Sequence, residues 1–555
     1  MSRVTFLPDQ IETVVPPGTT ILAAARQAGV LIEAPCNGAG HCGKCAVQVP
    51  PEQHVSLTIP SDYHLPRERE GAGWLLACHV LVQDDVTVSV PKRTESGLRI
   101  ITTGEKRRSV ALTPWISKRF SVESGQTVVY AGEQLLTVEQ GDTAAVLYGI
   151  VVDIGTTTLV VALVDLVSGK ELASDSALNP QSLHAQDVLS RIKFSAEPGG
   201  AAVMQSELIA ELNRLIARIA SAAGVSLAWI YEAVFSGNTC MLHLAAGVDP
   251  VPLGKYPFIP TLTGGEHLQA ADLGLSIAAS GIVYLPPVIS AYVGADITAG
   301  ILAAELNELS GTTLFIDIGT NGEMILARDG LLAATSTAAG PAFEGMNISY
   351  GMRASVGAIE GVRITSNGTI EVEVIGNVEA TGICGSGLMD LVAEMVKNGI
   401  IGPNGKFTAI ERLPECLGKR IEKQNGSTLF RVTENVFLTQ KDLRQVQLAK
   451  GAIRAGIDIL LDDREVNASG VDRVYIAGSF GFHLREGSLL TLGLLPPESA
   501  GKVTFLGNTS KSGGELLLLS DRLRLELEAL TSDVVRVELT SRADFDRVFM
   551  KAMGF

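Results

Sequence analysis

The sequence has no surplus of positive charge, and this absence limits what the protein can bind. It holds 44 Lys and Arg residues against 60 Asp and Glu residues, so its formal net charge is -16. Proteins that bind nucleic acids or anionic membranes usually neutralise phosphate groups with clustered Lys and Arg side chains. We therefore expect neither nucleic acid nor a membrane as the main partner.

The sequence also lacks a segment that predicts secretion or membrane insertion. Its first residues contain no long apolar run of the kind found in a secretory signal. An uncharged run from Leu273 to Ala295 is long enough to cross a bilayer, but Pro286, Pro287 and Gly294 interrupt it. This run is better interpreted as a buried strand, a turn and the start of a helix. We expect a soluble protein of the cytoplasm, with three or four domains in its 555 residues.

The phosphate loop pattern G-x4-G-K-S/T is missing too, so the chain is not a P-loop ATPase. A different phosphate-binding pattern occurs twice. Val151–Thr158 reads VVDIGTTT and Phe315–Gly322 reads FIDIGTNG. In each copy an apolar, β-branched run predicts a buried strand that ends at a carboxylate, Asp153 or Asp317, and a glycine turn follows.

These residue types suit the binding of a nucleotide. Glycine lets backbone N–H groups approach a phosphate closely, threonine hydroxyls add donors, and a carboxylate at a strand end can hold Mg2+, usually through its water ligands. Two copies, each opening a segment of domain size, predict two related halves that close on the nucleotide from opposite sides. The candidate catalytic carboxylates are Asp153 and Asp317, and the candidate ATP-binding residues are Gly155, Thr156, Thr157, Thr158, Gly319, Thr320, Asn321 and Gly322.

This duplicated pattern resembles the two phosphate motifs of the ATPase superfamily that contains acetate kinase, sugar kinases, Hsp70 and actin. The resemblance implies a duplicated actin-like ATPase domain, with residues 148–310 as its first half and residues 311–555 as its second. It also implies that glycine-rich loops of the second half hold the adenosine and the outer phosphates. The residues of these loops are Gly385, Ser386, Gly387, Gly478, Ser479 and Gly481.

Two features of the first half have more than one interpretation. The turn Ser236–Thr239 lies between a predicted strand and a predicted helix, where it is either an anion site or an ordinary connection. Asp296 follows a buried segment and precedes a helix. It is either a helix N-terminal residue or a catalytic base that orients the water in hydrolysis.

Four of the seven cysteines lie in the first 78 residues, as C-x5-C-x2-C followed by a single distant cysteine. An odd total in this context argues against a disulfide framework. Zinc is the alternative, with His41 and His79 as spare ligands, but zinc sites usually pair two Cys-x2-Cys knuckles. The spacing resembles that of 2Fe-2S ferredoxins, in particular the adrenodoxin-like type. The candidate ligands of a 2Fe-2S cluster are Cys36, Cys42, Cys45 and Cys78.

The surroundings of these cysteines agree with a ferredoxin. Val4–Leu7 and Glu12–Val15 predict a hairpin, Thr20–Ala28 an amphipathic helix, and Ala46–Val49 and Val86–Val90 two further strands. This order resembles the β-grasp ferredoxin fold over residues 1–91. The predicted fold class is therefore multidomain α/β, with an N-terminal β-grasp ferredoxin domain before the ATPase domain.

A basic linker and a small domain connect these parts. Residues 92–119 carry eight Lys and Arg residues against Glu95 and Glu105. They form either a solvated linker or a tether that lets the ferredoxin swing between electron donor and acceptor, with its charge helping an acidic partner to dock. Short apolar runs with glycine turns predict a small β-rich middle domain over residues 120–147.

The whole chain resembles the reductive activators of corrinoid-dependent enzymes, which include the activating enzymes of corrinoid methyltransferases and O-demethylases. The resemblance rests on the ferredoxin cysteines and on Tyr148–Thr158, Gly237–Thr239, Gly340–Gly345, Gly382–Gly387 and Ala477–Gly481. It implies an ATP-hydrolysing iron-sulfur activase that returns a corrinoid protein of a methyltransferase system from Co(II) to Co(I) with one electron. It also implies a low-potential electron donor, either a ferredoxin or a flavodoxin-like reductase, and it allows a homodimer.

Two other functions remain open at this stage. Activators of 2-hydroxyacyl-CoA dehydratases combine the same ATPase fold with iron-sulfur chemistry, and in that interpretation Cys384 is a ligand of a 4Fe-4S cluster shared between subunits. The alternative for Cys384 is a small buried side chain. The second function is that of a small-molecule kinase with a ferredoxin attached for regulation.

Overall fold

The computed structural model describes residues 1–32, 34, 38, 44–60, 73–91, 108, 110–424, 427–478 and 484–555. The predictions made for Cys36, His41, Cys42, Ser479 and Gly481, and for all of the basic linker up to residue 107, lie outside these residues. In the part of the chain that the structure describes, no helix combines the length and the apolar character that a bilayer crossing requires.

The N-terminal domain is a five-stranded sheet with one helix against it. Its strand order is β2-β1-β8-β4-β6, with β1 antiparallel to β2 and parallel to β8. Alternate residues of β1, such as Val4 and Phe6, are buried under the helix, whose N-terminus is capped by Thr20. A second small sheet has the order β3-β7-β5. The elements are β1 (Ser2–Leu7), β2 (Ile11–Val15), β3 (Thr19–Thr20), α1 (Ile21–Gln27), β4 (Ala46–Gln48), β5 (Leu57–Thr58), β6 (Trp74–Leu76), β7 (Leu81–Val82) and β8 (Val86–Ser89).

The middle part is a three-stranded antiparallel sheet. It consists of β9 (Ile116–Ser121), β10 (Gln126–Ala131) and β11 (Gln134–Gln140), in the order β11-β10-β9. The first strand begins inside the segment that the sequence assigns to the linker. Ile116 and Val129 are fully buried and belong to the same apolar cluster as Val151 of the following strand, so this small sheet packs on the ATPase domain.

The first half of the ATPase domain is a six-stranded sheet flanked by helices. Its strand order is β14-β13-β12-β15-β17-β16, in which β12, β13 and β14 are antiparallel neighbours and β12, β15 and β17 are parallel. The elements are β12 (Tyr148–Ile154), β13 (Thr158–Asp165), β14 (Lys170–Leu178), α2 (Val188–Ser195), α3 (Gly200–Ala223), β15 (Ile230–Gly237), α4 (Thr239–Ala246), β16 (Glu266–Gln269), β17 (Ile282–Leu285) and α5 (Ala295–Ala303).

The second half repeats this plan and adds to it. Its main sheet has the order β28-β27-β18-β19-β20-β29. The elements are β18 (Thr312–Ile318), β19 (Gly322–Arg328), β20 (Leu331–Thr337), β21 (Ala358–Ile364), β22 (Ile370–Val374), β23 (Gly382–Ile383), α6 (Gly385–Lys397), α7 (Glu415–Gly418), β24 (Ile421–Gln424), β25 (Ser427–Arg431), β26 (Phe437–Thr439), α8 (Gln440–Asp463), β27 (Arg473–Ala477), α9 (Glu486–Thr491), β28 (Val503–Gly507), α10 (Thr509–Leu519), α11 (Asp521–Asp533), β29 (Val535–Arg536) and α12 (Phe545–Ala552).

Five strands of each main sheet share the same topology, and the sixth strand, β16 or β29, lies at opposite edges of the two sheets. In each, the strand that carries the Asp-x-Gly motif, β12 or β18, is followed by two antiparallel strands on one side and has parallel strands on the other. The predicted duplication of the ATPase domain is therefore confirmed at the level of strand order and direction.

Two helices cross between the halves. Although α5 comes before the second half in sequence, Ile297 and Ile301 pack with Phe315 of β18. In the opposite direction, α10 comes from the end of the chain, and its Leu517 and Leu518 belong to the apolar cluster around Val151 of β12. The helices touch closely, because a side chain at Gly513 would place its first carbon 2.0 Å from the carbonyl oxygen of Ala299. The two halves of the sequence thus exchange helices.

Candidate functional site

A deep cleft lies where the two sheets present their Asp-x-Gly turns to each other. Its volume is about 200 Å³. The first turn lines one wall and the second turn lines the other, so the geometry brings together two motifs that are far apart in the sequence. The lining also includes Asn238, Asp296, Glu323, Phe343, Glu344, Met352, Arg353, Ala354, Cys384, Gly385, Ser386, Gly478, Asn508 and Ser510.

The first turn is held by Asn238, which belongs to the predicted turn Ser236–Thr239, and by Asn179 and Arg191, which the sequence did not single out. The Asn179 amide donates to the Gly155 carbonyl at 2.8 Å, and Asn238 donates to the Thr156 hydroxyl at 3.0 Å. The fully buried Arg191 donates to the Thr156 carbonyl, to Ala185 O at 3.2 Å and to Gln181 Oε1 at 2.9 Å. Burial lowers the pKa of Arg191 to about 10, which still leaves the guanidinium charged at neutral pH. The backbone of the turn is therefore rigid and preformed.

Replacing Arg191 by Met should destabilise the first half of the ATPase domain. The change leaves the buried acceptors at Thr156, Ala185 and Gln181 without their donor, which should cost at least about 3 kcal/mol. Because the ATPase domain has about 400 residues, we expect its thermal midpoint to fall by at least roughly 4 °C. The measurement is circular dichroism during heating.

The matched control for this change is Arg218→Met. Arg218 is half exposed and pairs with Asp175 at 2.7 Å. Since exposed ion pairs contribute at most about 1 kcal/mol, the control should melt within about 1 °C of the parent. Equal midpoints for the two variants would contradict the supporting role of Arg191.

Four carboxyl groups face the centre of the cleft, of which Glu323 is buried and Asp153, Asp296 and Asp317 are half-buried. Asp153 accepts hydrogen bonds from Asn508 Nδ2 at 2.7 Å and from Ser510 Oγ at 2.8 Å. Burial raises its pKa, and these two donors oppose the shift. Burial and the charge of Asp153 raise the pKa of Asp296 to about 7, and burial with the charges of Asp296 and Asp153 raises the pKa of Asp317 to about 8. Burial and the charges of Asp296 and Asp317 raise the pKa of Glu323 well above its usual range.

This cluster has the chemistry of a cation site. Several carboxylates in a buried cleft repel one another, and a divalent cation with its water ligands removes that repulsion. Among the residues that the structure describes, no three or more His, Cys, Asp or Glu side chains lie close enough together to coordinate one metal ion directly. The arrangement fits Mg2+ held mainly through water molecules, with phosphate oxygens completing the shell.

The raised pKa values predict how stability depends on pH without Mg2+. In the unfolded chain these aspartates lose their protons near pH 4, whereas Asp296 and Asp317 keep them up to pH 7 and 8 in the fold. The folded protein therefore binds more protons over this range, and its stability should fall as the pH rises from 5 to 8.5. The thermal midpoint in EDTA should drop by several degrees, and less so in Asp317→Asn. A flat profile for both proteins would contradict the proton uptake.

Glu344 joins the two phosphate turns. It lies in the short 3-10 helix Pro341–Glu344. The Thr157 hydroxyl of the first turn donates to Glu344 Oε2 at 2.5 Å, and the Thr320 hydroxyl of the second turn donates to Oε1 at 2.5 Å. One carboxylate thus bridges hydroxyl groups that the sequence predicts as phosphate donors.

The glycine-rich loops contribute unequally to the cleft. Gly478 has φ +98°, and a side chain there would come within 2.7 Å of Asp317 Oδ1, so the loop can approach the second turn only as glycine. Gly385 and Ser386 line the cleft. Gly387 and Gly322 lie outside its lining, where their lack of a side chain allows close packing against Ile359 and Ile453.

Two turns of identical sequence each direct an asparagine side-chain amide at the first phosphate motif. This repeat was not identified from the sequence. Gly237-Asn238-Thr239 follows β15, and Gly507-Asn508-Thr509 follows β28. Each asparagine caps the next helix with its side-chain oxygen and points its amide nitrogen into the site, Asn238 at Thr156 and Asn508 at Asp153. The repeated Gly-Asn-Thr sequence is the signal that identifies Asn508.

Cys384 lies at the bottom of the cleft as the N-cap residue of α6. Its thiol is buried and lies 3.3 Å from the Ile359 carbonyl oxygen and 3.4 Å from Ser386 Oγ. Burial raises the pKa of this thiol, which opposes the thiolate that a metal ligand requires. The environment favours the small buried side chain over the cluster ligand.

The described part of the ferredoxin domain brings two of the predicted cluster ligands together. The sulfur atoms of Cys45 and Cys78 are 3.2 Å apart. Two sulfur atoms at this separation fit two ligands of the same cluster. Cys36 and Cys42 lie outside the described residues, so their part in the site stays a prediction.

Three family models cover most of the chain. The C-terminal domain of RACo, the ASKHA domain, matches residues 311–555, the RACo middle region matches residues 148–309, and the 2Fe-2S iron-sulfur cluster binding domain matches residues 4–83. Together with the site, these matches define a protein in which a 2Fe-2S ferredoxin domain is joined to an ATP-binding domain of the actin-like superfamily.

Relatives that align over most of this chain have closely related descriptions. The corrinoid activation enzyme RamQ of Eubacterium limosum is 29% identical over 94% of each chain. A Co(II) methylated amine-specific corrinoid protein reductase of Methanosarcina barkeri is 26% identical over 72% of this chain and 73% of that protein. A solved structure of a reductive activator for corrinoid, iron-sulfur protein is 30% identical and covers 100% of this chain and 98% of its own, with a TM-score of 0.73. The chain belongs to the family of reductive activators of corrinoid proteins.

Proposed function

We propose that this chain is an ATP-hydrolysing iron-sulfur activase, which reduces a corrinoid protein of a methyltransferase system from Co(II) to Co(I). The observation that carries the proposal is that the chain combines the ferredoxin cysteines with the two-sided carboxylate cleft. The chain also aligns over its full length with a solved structure that is described as a reductive activator. One electron passes from the reduced cluster to Co(II), while ATP and water give ADP and phosphate.

Electron transfer to Co(II) depends on ATP hydrolysis for an energetic reason. A plant-type 2Fe-2S centre has a potential near about -400 mV, and reduction of base-off Co(II) needs a lower potential. Electron transfer alone is therefore uphill, and ATP-linked closure of the cleft favours a cobalt state that is easier to reduce. A low-potential ferredoxin or a flavodoxin-like reductase supplies the electron, and the active assembly is a homodimer.

In the cleft, the chain's own residues have distinct roles. The backbone of the first turn, fixed by Arg191 and Asn179, and the hydroxyls of Thr157 and Thr320 bind the phosphates. Asp153 and Asp317 would hold Mg2+ through its water ligands, and the ion would neutralise the phosphate charge. Asp296 lines the same cleft and would accept the proton of the attacking water as a general base.

The test of the function is to mix the reduced protein with Co(II) corrinoid proteins and to record the Co(I) spectrum. Co(I) should form in the presence of ATP with a corrinoid protein from the same cell. The competing function, a small-molecule kinase, predicts a phosphorylated acceptor instead of free phosphate and no Co(I). A chain purified without iron in anaerobic conditions would also contradict the proposal.

A further inference from the structure

One short segment contacts both the nucleotide cleft and the ferredoxin domain. We call residues 341–353 the bridging segment. At its start, Glu344 accepts hydrogen bonds from Thr157 and Thr320, as described above. At its end, Met352 and Arg353 line the same cleft. Between these points, the carbonyl oxygens of Ser349 and Gly351 accept hydrogen bonds from the ammonium group of Lys44, at 3.3 Å for Ser349.

Lys44 belongs to the part of the ferredoxin that holds the cluster. It directly precedes Cys45, whose sulfur lies 3.2 Å from that of Cys78. Hydrogen bonds from an ammonium group are stronger than those between neutral groups. The contact therefore docks the cluster end of the ferredoxin domain on the segment that carries Glu344.

The bridging segment is folded tightly enough to transmit a displacement. A side chain at Gly351 would come within 2.1 Å of the Gly345 carbonyl oxygen, so the two backbones are in contact. Gly345 directly follows Glu344, and Gly351 accepts a hydrogen bond from Lys44. The Met352 N–H donates to the Ile383 carbonyl at 2.8 Å, and the Ser349 N–H donates to Asp442 Oδ1 at 2.8 Å. Since packed backbones have no free volume between them, a backbone shift at Glu344 and Gly345 also displaces Gly351.

Glu344 and a nucleotide compete for the same place. The hydroxyls of Thr157 and Thr320 are donors that a phosphate between the two turns requires, and Glu344 occupies both. A carboxylate and a phosphate that shared these two donors would also repel each other, because both are negatively charged. A bound nucleotide therefore has to displace Glu344 from at least one of the two turns.

We propose that binding of a nucleotide displaces Glu344, shifts the bridging segment and weakens the docking of the ferredoxin domain through Lys44. Occupation of the nucleotide site and docking of the ferredoxin then oppose each other, and the effect is reciprocal by thermodynamic linkage. This inference rests on the proposed function for the cleft. Through this coupling, nucleotide binding to the ATPase domain controls when the ferredoxin domain can leave to meet its electron donor or the corrinoid protein.

The test compares the nucleotide affinity of the iron-loaded parent with that of Lys44→Gln by titration calorimetry with Mg-ADP. Removal of the docking cation should make the nucleotide bind at least about fivefold more tightly. The control is Arg3→Gln, which removes one positive charge from the same domain at an exposed position, 4.0 Å from Glu12. It should leave the affinity unchanged. Equal affinities for the parent and Lys44→Gln would overturn the inference.

A double-mutant cycle and hydrogen exchange provide the second readout. In a Glu344→Gln background the bridge is weakened, so Lys44→Gln should change the affinity much less. Mg-ADP should speed amide exchange in residues 345–353 of the parent, but not in Lys44→Gln, where exchange is already fast. Unchanged exchange in the parent, or equal effects of Lys44→Gln in both backgrounds, would overturn the coupling. A parent that binds no nucleotide at all would instead refute the proposed function and the coupling with it.

Discussion

Asp153→Asn and Asp317→Asn should each lower ATP hydrolysis by at least about 100-fold while the visible iron-sulfur spectrum stays unchanged. Asparagine keeps the size of the side chain and removes the charge that holds hydrated Mg2+ beside the phosphates. The spectrum should be unaffected because the predicted cluster ligands belong to the N-terminal part of the chain, whose described residues form their own apolar core. Phosphate release under saturating ATP measures the rate.

The control for these two variants is Asp175→Asn. Asp175 lies on β14, outside the cleft, and pairs with Arg218. This variant should hydrolyse ATP at the parental rate. If the double variant Asp153→Asn with Asp317→Asn also kept the parental rate, the duplicated turns would not be the catalytic site, and the later glycine loops would have to be tested instead.

The second large effect concerns the yield of Co(I). If ATP does conformational work on the cobalt centre, the reduced protein should convert Co(II) corrinoid protein poorly without ATP and nearly completely with it. For one electron, each tenfold change in the ratio of Co(I) to Co(II) corresponds to about 59 mV. A shift of about 150 mV therefore changes the ratio several hundredfold, which an absorption spectrum resolves easily. Asp153→Asn with ATP should behave like the parent without ATP.

This measurement separates an activator from two domains that share a chain. The donor potential has to be matched in all samples, since a stronger reductant alone would raise the yield. Equal Co(I) yields with and without ATP would leave the ferredoxin as a plain electron carrier. Loss of yield in Asp175→Asn would instead point to a general effect of mutation.

The sequence predicted the parts of the fold that local patterns determine. Buried β-branched strands that end in Asp-x-Gly located both phosphate turns, and the same repetition predicted two related halves, which the shared order of five strands confirms. The helix from Thr20 to Ala28 was also recognisable, because Thr20 is a favourable N-cap before an apolar face. The family relationship followed from several such motifs together.

The remaining features of the site depend on contacts between distant residues. Arg191 is an ordinary helix residue in the sequence, and only the tertiary fold buries it beneath Thr156. Glu344 was visible as part of a motif, but its role as a bridge requires both turns to be in place. Glu323 follows the second turn directly, and its raised pKa arises from burial and from the charges of Asp296 and of Asp317, its partner on the neighbouring strand.

The exchange of helices between the halves has a consequence for how the chain is made. The ferredoxin domain closes its core within the first 90 residues, so it can fold while the rest is still on the ribosome. The sheet around Val151 cannot be covered at that stage, because Leu517 and Leu518 of α10 are synthesised near the end. A nascent chain released at residue 310 would expose this apolar face and depend on chaperones. The last fifty residues therefore complete a layer that begins at residue 148.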